Sequence, residues 1–332
     1  MRTTAASSLL LLLAAAACGE TSLAYGDPNS IIAVMEPALW TEVQDEVYDA
    51  LEPTIRTVRN EKTFTVTYQE PLAEYWSNLR RFRQMLLVGT GDESWMQEAL
   101  EHVRDSIAGP GIYTAYDVWS RGQQVNIVLA PAGQEAAELR SHLGSINRTL
   151  DQQYREWAVN RMYLTGRDSA LADTLMQQGR FQLMVPNVYQ WRVQDSLYLF
   201  RNDNPDPSEL IRQIAVTWRS PIPADYQPED ILEWRSDVAA AYNEPQDVDL
   251  SDADAGPIEF RGRSAYQIQA EWRNPPELNW PAAGPILTRA VLCPSQNRMY
   301  LVDSWLYAPG KEKYEYMIQL QTILDSFRCG PS

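Results

Sequence analysis

The chain has 332 residues, of which 45% are hydrophobic, 22% are charged and 10% are aromatic. These values exclude a wholly disordered chain, a collagen-like fibre and a small disulfide-stapled scaffold, and they predict a globular protein of about two domains. Its 28 Lys and Arg residues stand against 44 Asp and Glu residues, which gives a net charge of −16. Because this charge would repel phosphates, the composition argues against a nucleic-acid partner.

The N-terminus predicts export. An apolar stretch of about 13 residues follows Arg2, fewer than the roughly 20 that a membrane-spanning helix needs. It ends at Ala15-Ala16-Ala17-Cys18, which resembles the lipobox of bacterial lipoproteins. That resemblance implies a signal peptide at residues 1–17, acyl chains on Cys18 and stable membrane attachment through several chains. The alternative is an ordinary secretory signal followed by an incidental cysteine.

The residues after the cysteine refine this address. Gly19 is not the Asp that commonly retains such lipoproteins in the inner membrane, which favours the outer membrane, with a periplasmic-facing body preferred over a surface-exposed one. Residues 18–30 are predicted to form a lipidated tether. The 12 residues after Cys18 are rich in Gly, Ser, Asp, Asn and Pro, and this spacer reaches at most roughly 40 Å when extended.

Hydrophobic periodicity predicts the elements that follow. In the first half these are a strand at 31–35, a helix at 37–51, a strand at 63–68, a helix at 72–82, a strand at 84–88, a helix at 93–107, a hairpin of 112–119 with 124–129, and a helix at 133–157. In the second half they are a helix at 168–178, strands at 181–185, within 190–201 and at 210–218, a helix at 228–242, an acidic linker to 257, strands at 258–272, 286–292 and 299–307, and a helix at 311–327.

Short strands and helices that mix without βαβ regularity predict an α+β fold. We expect two subdomains, each a mixed or antiparallel sheet with packed helices. The boundary is predicted near residue 165, so that the subdomains are residues 31–165 and 166–332. A duplication would explain two similar halves, but the halves do not align residue by residue.

Two cysteines remain once Cys18 is acylated, and export favours their pairing. Cys293 follows a strand pattern and Cys329 ends the last helical pattern, so a disulfide would attach the C-terminal helix to the sheet. The alternative is two free thiols. No metal site is predicted, because His102 and His142 do not belong to a cluster with metal-ligand spacing.

Several segments together point to a known family. They are Cys18-Gly19, Pro28–Met35 with Trp40, Arg83–Val88, Phe181–Pro186, Phe260–Gly262, Trp272, Gly284-Pro285 and Tyr307–Lys311. In this order they resemble DUF4837, a family of uncharacterised bacterial lipoproteins. The resemblance implies an envelope location and a related fold, and it implies no catalytic residues.

Common catalytic motifs are missing, so the catalytic residues are unknown and no cofactor is predicted. Ser264 lacks the second glycine of a nucleophile elbow, because Tyr266 occupies that position, and Ser304 lies in a strand-like run. Gly89-Thr90-Gly91 lacks the remaining residues of a phosphate-binding loop. The acidic stretch 247–256 does not have the spacing of a calcium-binding EF-hand loop, so it is predicted to be a solvated linker.

The candidate contact residues lie near the C-terminus. Trp272 and Trp280 flank a Pro-rich loop, where a large aromatic side chain is less obliged to fill a core. Together with Tyr307 and Lys311 they form the predicted partner-binding patch.

The sequence therefore predicts a non-catalytic interaction or assembly module of the outer membrane, with the membrane and an envelope protein or glycan as partners. One alternative is a hydrolase that acts on envelope glycan or peptide through acidic residues. A third hypothesis is capture of a small ligand between the subdomains.

Overall fold

The computed structural model describes residues 22–331, and helices and strands alternate along most of that length. The chain divides into two units, each with its own core. The first unit consists of residues 22–42 and 67–139, and the second consists of residues 43–66 and 140–331. The predicted α+β class is confirmed. In the described part of the chain, no helix is both long and apolar enough to cross a membrane.

The elements up to residue 162 are, in chain order, β1 (Ser30–Val34), α1 (Pro37–Leu51), β2 (Thr54–Arg56), β3 (Asn60–Lys62), β4 (Thr65–Gln69), α2 (Trp76–Leu79), β5 (Gln84–Gly89), α3 (Ser94–Leu100), β6 (Gly111–Tyr116), β7 (Gln124–Leu129) and α4 (Glu135–Met162). The remaining elements are α5 (Ser169–Gly179), β8 (Phe181–Gln182), β9 (Gln190–Gln194), β10 (Leu197–Asn202), β11 (Ile211–Arg219), α6 (Pro228–Tyr242), β12 (Asp247–Val248), β13 (Asp254–Phe260), β14 (Arg263–Arg273), β15 (Ala283–Cys293), β16 (Arg298–Tyr307), α7 (Tyr314–Asp325) and β17 (Arg328–Cys329).

The first unit contains a mixed sheet in the order β4-β1-β5-β7-β6. Strands β1, β5 and β7 are parallel, and β6 joins β7 as an antiparallel hairpin. All six residues of β5 are buried, as expected for a parallel strand that is covered on both faces. Because these three strands are parallel, their amino ends lie together at one end of the sheet and their carboxyl ends lie together at the other end.

The chain enters this unit in a bound conformation. The backbone amide of Ala24 donates to the carbonyl of Arg121 (2.9 Å), and the amide of Tyr25 donates to the carbonyl of Arg81 (3.2 Å). In return, the amide of Arg83 donates to the carbonyl of Tyr25 (2.8 Å). The predicted spacer is therefore not free over its whole length, because the sheet edge holds it from residue 22 onward. The predicted signal peptide and Cys18 lie outside the described residues.

The second unit is built on an antiparallel sheet in the order β12-β14-β15-β16-β11-β10-β9, with β13 paired to β14. Alternate residues of each strand face opposite sides. On one side, Ile231 and Trp234 of α6 pack against Met299 and Leu301 of β16. On the other side, residues of α7 pack against Val302 and its neighbours. The sheet is thus covered on both faces by helices that follow it or interrupt it in sequence.

The segment predicted as one strand at residues 258–272 is a hairpin. Arg261 and Gly262 both have positive φ angles, 52° and 72°, which is the conformation of a two-residue hairpin turn. β13 pairs with β14 across this turn, from Phe260 opposite Arg263 to Asp254 opposite Gln269. The acidic stretch predicted as a solvated linker therefore begins in β12 and ends in β13, both of which pair with β14, and residues 249–253 connect the two strands.

The predicted disulfide is present between Cys293 and Cys329, whose Cα atoms are 5.9 Å apart. Cys293 ends β15, and Cys329 lies in β17, which pairs with β8. The bond therefore attaches the residues that follow α7 to the central sheet, as the sequence predicted.

Gly284 is required by close contact between neighbouring strands. A Cβ atom at this position would lie 1.8 Å from the carbonyl oxygen of Leu306 and 2.7 Å from Nε1 of Trp272. We expect Gly284→Ala to lower the free energy of unfolding by about 2 to 3 kcal/mol, because backbone must move to admit the methyl group. Urea denaturation of the purified chain measures this loss.

Gly256 provides the matched control, because it lies in β13 and a Cβ there would meet nothing within 4 Å. Gly256→Ala should leave the unfolding midpoint nearly unchanged. Equal losses in the two variants would contradict the steric explanation and would point to a general intolerance of substitution in this sheet.

Candidate functional site

The second unit contains a cavity of about 400 Å³ between α7, β14, β15 and β2. This α7 cavity falls in the size range of small-molecule and side-chain binding pockets. Its apolar lining comes from segments that are distant in sequence, namely Ile55, Ala270, Pro285, Ile286, Met317 and Ile318. Polar groups also line it, so an occupant would meet an apolar wall together with a few hydrogen-bonding groups.

A buried ion pair fixes two walls of the α7 cavity to each other. Glu61, in the β2–β3 hairpin, accepts from Nζ of Lys313 (2.7 Å) and from its backbone amide (2.6 Å). Both side chains are almost fully buried. Because Lys313 immediately precedes α7, this double contact sets the position of the helix against the hairpin. The sequence prediction missed it, since a carboxylate and a lysine 252 residues apart give no local signal.

Tyr314 and Arg155 contribute polar groups to the lining itself. Arg155 donates from Nε to Asp151 (2.7 Å) and from Nη2 to the phenol oxygen of Tyr314 (3.1 Å). The Tyr314 hydroxyl in turn donates to Asp151. Burial raises the pKa of Tyr314 well above its ordinary value, so the phenol stays neutral. It is a fixed hydrogen-bonding group and does not serve as a base.

Carboxylates lie around the opening of the α7 cavity. Arg56 pairs with Asp252 at 3.0 Å, and both side chains are more than half exposed. Asp254 and Glu271 also line the cavity. An exposed ion pair of this kind contributes little free energy, so an incoming polar group can replace either partner. Asp252 and Asp254 were not predicted as site residues, because the acidic stretch was interpreted as a linker. Arg56 and Glu271 carry no local sequence signal.

The predicted partner-binding patch needs one correction. Trp272 is only 3% exposed, its ring packs against that of Trp305 at 5.5 Å, and its Nε1 donates to the carbonyl of Leu306 (3.2 Å). It is a core residue because β14 extends to Arg273, so the Pro-rich loop begins only after the tryptophan. Its place on the face of Ile268 could have been recognised from the alternation along the strand.

The other three residues of the patch reach the surface. Trp280 is 45% exposed in the loop between β14 and β15, and Tyr307 and Lys311 are partly exposed. Tyr307 packs near Trp272 with a ring separation of 6.4 Å. The role of Trp280, Tyr307 and Lys311 in partner binding stays a prediction.

The Ser and Cys residues considered from the sequence do not line the α7 cavity. Ser304 is buried with its hydroxyl donating to the carbonyl of Leu287 (3.1 Å). Cys293 and Cys329 are joined to each other. Across residues 22–331, His, Cys, Asp and Glu side chains do not converge in groups of three or more that could hold a metal ion.

A separate group of carboxylates lies in the first unit, where the parallel strands end. Glu93 is half-buried and accepts from the backbone amide of Thr90 (2.7 Å). Burial raises the pKa of Glu93, and repulsion from Glu36, Asp92 and Glu135 raises it further. The folded protein therefore retains this proton to a higher pH than the unfolded chain does.

The raised pKa predicts a pH-dependent effect of Glu93→Gln. In the native chain, stability is lost as the pH rises through the raised pKa, because folding then requires a buried charge. We expect Glu93→Gln to unfold at higher urea concentration than the native chain at about pH 7, with the difference shrinking toward about pH 4.

Asp92→Asn is the matched control for that prediction. A hydrogen bond from Thr90 lowers the pKa of Asp92, so the sign is reversed: its stabilising contribution is present at neutral pH and is lost as the pH falls. Asp92→Asn should therefore weaken the protein at neutral pH. A Glu93→Gln effect that is independent of pH would contradict the electrostatic explanation.

Comparison with known proteins relates each half of the chain to a family. Residues 168–326 match DUF4837, a domain of unknown function, which confirms the resemblance found in the sequence. Residues 24–163 match DUF8532, another domain of unknown function. The segments at 28–40 and 83–88, which resembled DUF4837 in the sequence, lie within this second match, and Cys18-Gly19 lies outside both matches. The predicted boundary at residue 165 stays a prediction, and no curated protein matches the chain.

Solved structures show only distant similarity. CyanoP, the cyanobacterial PsbP of Synechocystis sp. PCC 6803, has 13% identity and a TM-score of 0.31, over 46% of this chain and 88% of its own. The Ran-binding protein Mog1p of Saccharomyces cerevisiae has 12% identity and a TM-score of 0.32, over 46% and 90%. LpqN, involved in cell envelope biogenesis of Mycobacterium tuberculosis, has 14% identity and a TM-score of 0.28, over 46% of this chain and 83% of its own. Similarity at this level establishes no shared function.

Proposed function

We propose that this chain, whose residues 168–326 belong to the DUF4837 family, is a lipid-anchored, non-catalytic interaction module of the cell envelope. The proposed anchor is Cys18 in the outer membrane, with the body in the periplasm. The proposed partner is an envelope protein that inserts an apolar side chain or short segment into the α7 cavity. The observation that supports a binding role is the cavity itself.

The composition of the α7 cavity favours binding. An apolar wall with a few fixed polar groups is the usual composition of a binding pocket. The Glu61–Lys313 ion pair fixes the β2–β3 hairpin against α7. Contacts with Asp151 hold the polar side chains of Arg155 and Tyr314 in place. A preformed pocket reduces the entropy that is lost on binding, which suits a module that captures a partner.

Site-specific photocrosslinking in cells tests this proposal. A photoreactive residue at Gln269, which lines the cavity, should give adducts with a reproducible envelope protein. Gln321→Trp, on the opposite lining helix, should fill the cavity and abolish those adducts. Gln177→Trp is the matched control, because Gln177 is an exposed residue of α5 outside the lining. Adducts that survive Gln321→Trp, or that Gln177→Trp removes equally, would contradict the proposal.

The anchor is tested in the same cells. Cys18→Ala should remove acylation and release the protein from the membrane fraction. A Cys18→Ala chain that stays membrane-bound would contradict the proposed attachment while leaving the cavity experiment intact.

One observation favours the second candidate, a hydrolase of envelope glycan or peptide. Asp252, Asp254 and Glu271 all line the α7 cavity, and paired carboxylates perform glycoside hydrolysis. This alternative requires that the purified protein hydrolyses a glycan or peptide, and that Asp254→Asn or Glu271→Gln abolishes the hydrolysis. In the photocrosslinking experiment, the adduct should then contain a glycan or peptide and no envelope protein. Turnover that persists in both variants would exclude this site.

A further inference from the structure

The segment through which the chain enters the first unit lies across the amino ends of the parallel strands. Leu23 forms a bridge with Arg121, just before β7, and Tyr25 forms one with Phe82, just before β5. The Tyr25 phenol donates to the carbonyl of Asn78 (2.7 Å). These contacts fix residues 22–25 to one end of the sheet.

Large apolar side chains remain exposed at this end. Leu23 is 64% exposed and Tyr75 is 64% exposed, and Tyr25 is also exposed. Tyr75 belongs to the same turn as Asn78, because the amide of Asn78 donates to the Tyr75 carbonyl (3.1 Å). We refer to Leu23, Tyr25 and Tyr75 as the entry face.

Arginine side chains lie at the amino end of the first unit's sheet. Arg81, Arg83 and Arg121 immediately precede β5 or β7 and so lie at the amino end, where the Arg81 guanidinium is 5.9 Å from the Tyr25 ring centroid. The carboxylates near Glu93 lie at the carboxyl end.

The amino end also carries carboxylates, and two of them are held by local partners. Asp117 accepts from the backbone amide of Gly122 (2.5 Å). Glu98 accepts from Nε1 of Trp119 (2.7 Å) and lies 3.6 Å from Arg80. Glu74, next to Tyr75, is exposed. Asp27, two residues after Tyr25, is exposed as well. A hydrogen bond does not remove the charge of a carboxylate, so these acidic residues offset the arginines, and docking depends on the exposed apolar and aromatic side chains.

The short segment between Cys18 and the entry face points to the lipid surface as the partner of that face. Only residues 19–21 separate Cys18 from Ser22, and four residue steps span at most about 14 Å. If Cys18 carries acyl chains, Ser22 is held within that distance of the lipid headgroups, and Leu23 of the entry face follows it directly. Tyr, Leu and Arg are residue types that bind at the boundary between headgroups and acyl chains.

We propose that the entry face docks on the bilayer surface itself and holds the first unit in a fixed orientation on the membrane. This proposal rests on the proposed anchor at Cys18. The acyl chains provide attachment, and the entry face provides orientation, with Leu23 and Tyr75 at the headgroup boundary and the carboxyl end of the sheet directed away from the lipid.

Fluorescence quenching on vesicles tests the docking. The acylated protein is reconstituted into phosphatidylethanolamine–phosphatidylglycerol vesicles with an environment-sensitive dye on Leu23→Cys or Tyr75→Cys. A quencher placed on the lipid headgroups should quench both dyes. A dye on Ile107→Cys is the matched control, because Ile107 is an exposed residue at the carboxyl end of the same sheet. We expect quenching at Ile107 to be about threefold weaker, since it decays with distance from the surface.

A non-acylated form separates this proposal from the anchor. Cys18→Ser protein with an N-terminal histidine tag is held on vesicles by a nickel-chelating lipid, which replaces the acyl chains. Quenching of the Tyr75 dye should persist on these vesicles and should fall about threefold in Leu23→Ser. Docking on the chelating vesicles, combined with failure of Cys18 to become acylated in cells, would overturn the anchor alone.

Two results would overturn the docking proposal. Equal quenching at positions 75 and 107 would mean that the first unit has no fixed orientation on the membrane. The second result is a dye at position 75 that reports a buried environment but is not quenched by the lipid headgroups. If two copies of the chain also crosslink at that position, the entry face is a self-association surface.

Discussion

Asp303→Ala should lower the free energy of unfolding by about 3 to 5 kcal/mol, because it would leave a buried guanidinium without its counter-ion. Arg235 lies on α6 and Asp303 lies on β16, and both side chains are completely buried. Nε of Arg235 is 3.3 Å from the Asp303 carboxylate. Thr288 also donates to Asp303 (2.6 Å), so removal of the carboxylate leaves two donors unpaired. Urea denaturation followed by tryptophan fluorescence measures the loss.

The double variant Arg235→Met, Asp303→Leu is the control for that measurement. Replacement of both ions by apolar groups removes the unpaired charge and the cost of burying it. We therefore expect the double variant to be more stable than Asp303→Ala alone. A loss below about 1 kcal/mol in Asp303→Ala would contradict the assignment of this pair as a buried ionic contact, since exposed pairs contribute amounts of that size.

This pair also shows where sequence analysis reaches its limit. The strand at 299–307 was predicted, and the observed β16 is Arg298–Tyr307, because its run of apolar and aromatic residues is continuous enough to mark a central strand. The partner of Asp303 could not be predicted in the same way. Arg235 lies on a helix 68 residues earlier, and only the packing of α6 on the sheet brings the charges together.

Predictions of short elements failed where local backbone geometry overrode periodicity. The spacing of apolar residues predicted a helix at 72–82, but α2 covers only Trp76–Leu79. Leu72 has a φ angle of 61°, a left-handed conformation that a helix does not accept. The polar segment 60–62 carries no apolar alternation, so β3 was not predicted. Yet its Glu61 holds α7 through Lys313.

The site was harder to predict than the fold for a physical reason. Strands and helices are identified from neighbouring residues, whereas the α7 cavity combines Arg56, Arg155, Asp254 and Ile318 from different parts of the chain. Residues brought together in this way follow no regular spacing in the sequence, so no local pattern identifies them. Trp272 shows the reverse error, since its proximity to a Pro-rich loop outweighed the two-residue alternation that places it in the core.

Reduction of the Cys293–Cys329 disulfide should cost about 4 kcal/mol of stability. The bond closes a loop with a sequence separation of 36 residues, and the chain-entropy model assigns a loop of this size about that stabilisation. The double variant Cys293→Ala, Cys329→Ala should show the same loss by urea denaturation. Reductant should destabilise the native chain and leave the double variant unchanged.

Non-covalent contacts determine how that loss is distributed. The amide of Gly330 donates to the carbonyl of Arg180 (2.8 Å), Gln296 donates to the carbonyl of Gly330 (2.8 Å), and Phe327 remains in the core. The reduced protein should therefore keep its fold, while β17 and the end of α7 open more often. Hydrogen exchange should rise most at these residues and at β8, with little change in the first unit. Uniform acceleration in both units would contradict a local role for the bond, and unchanged stability on reduction would contradict the disulfide's contribution altogether.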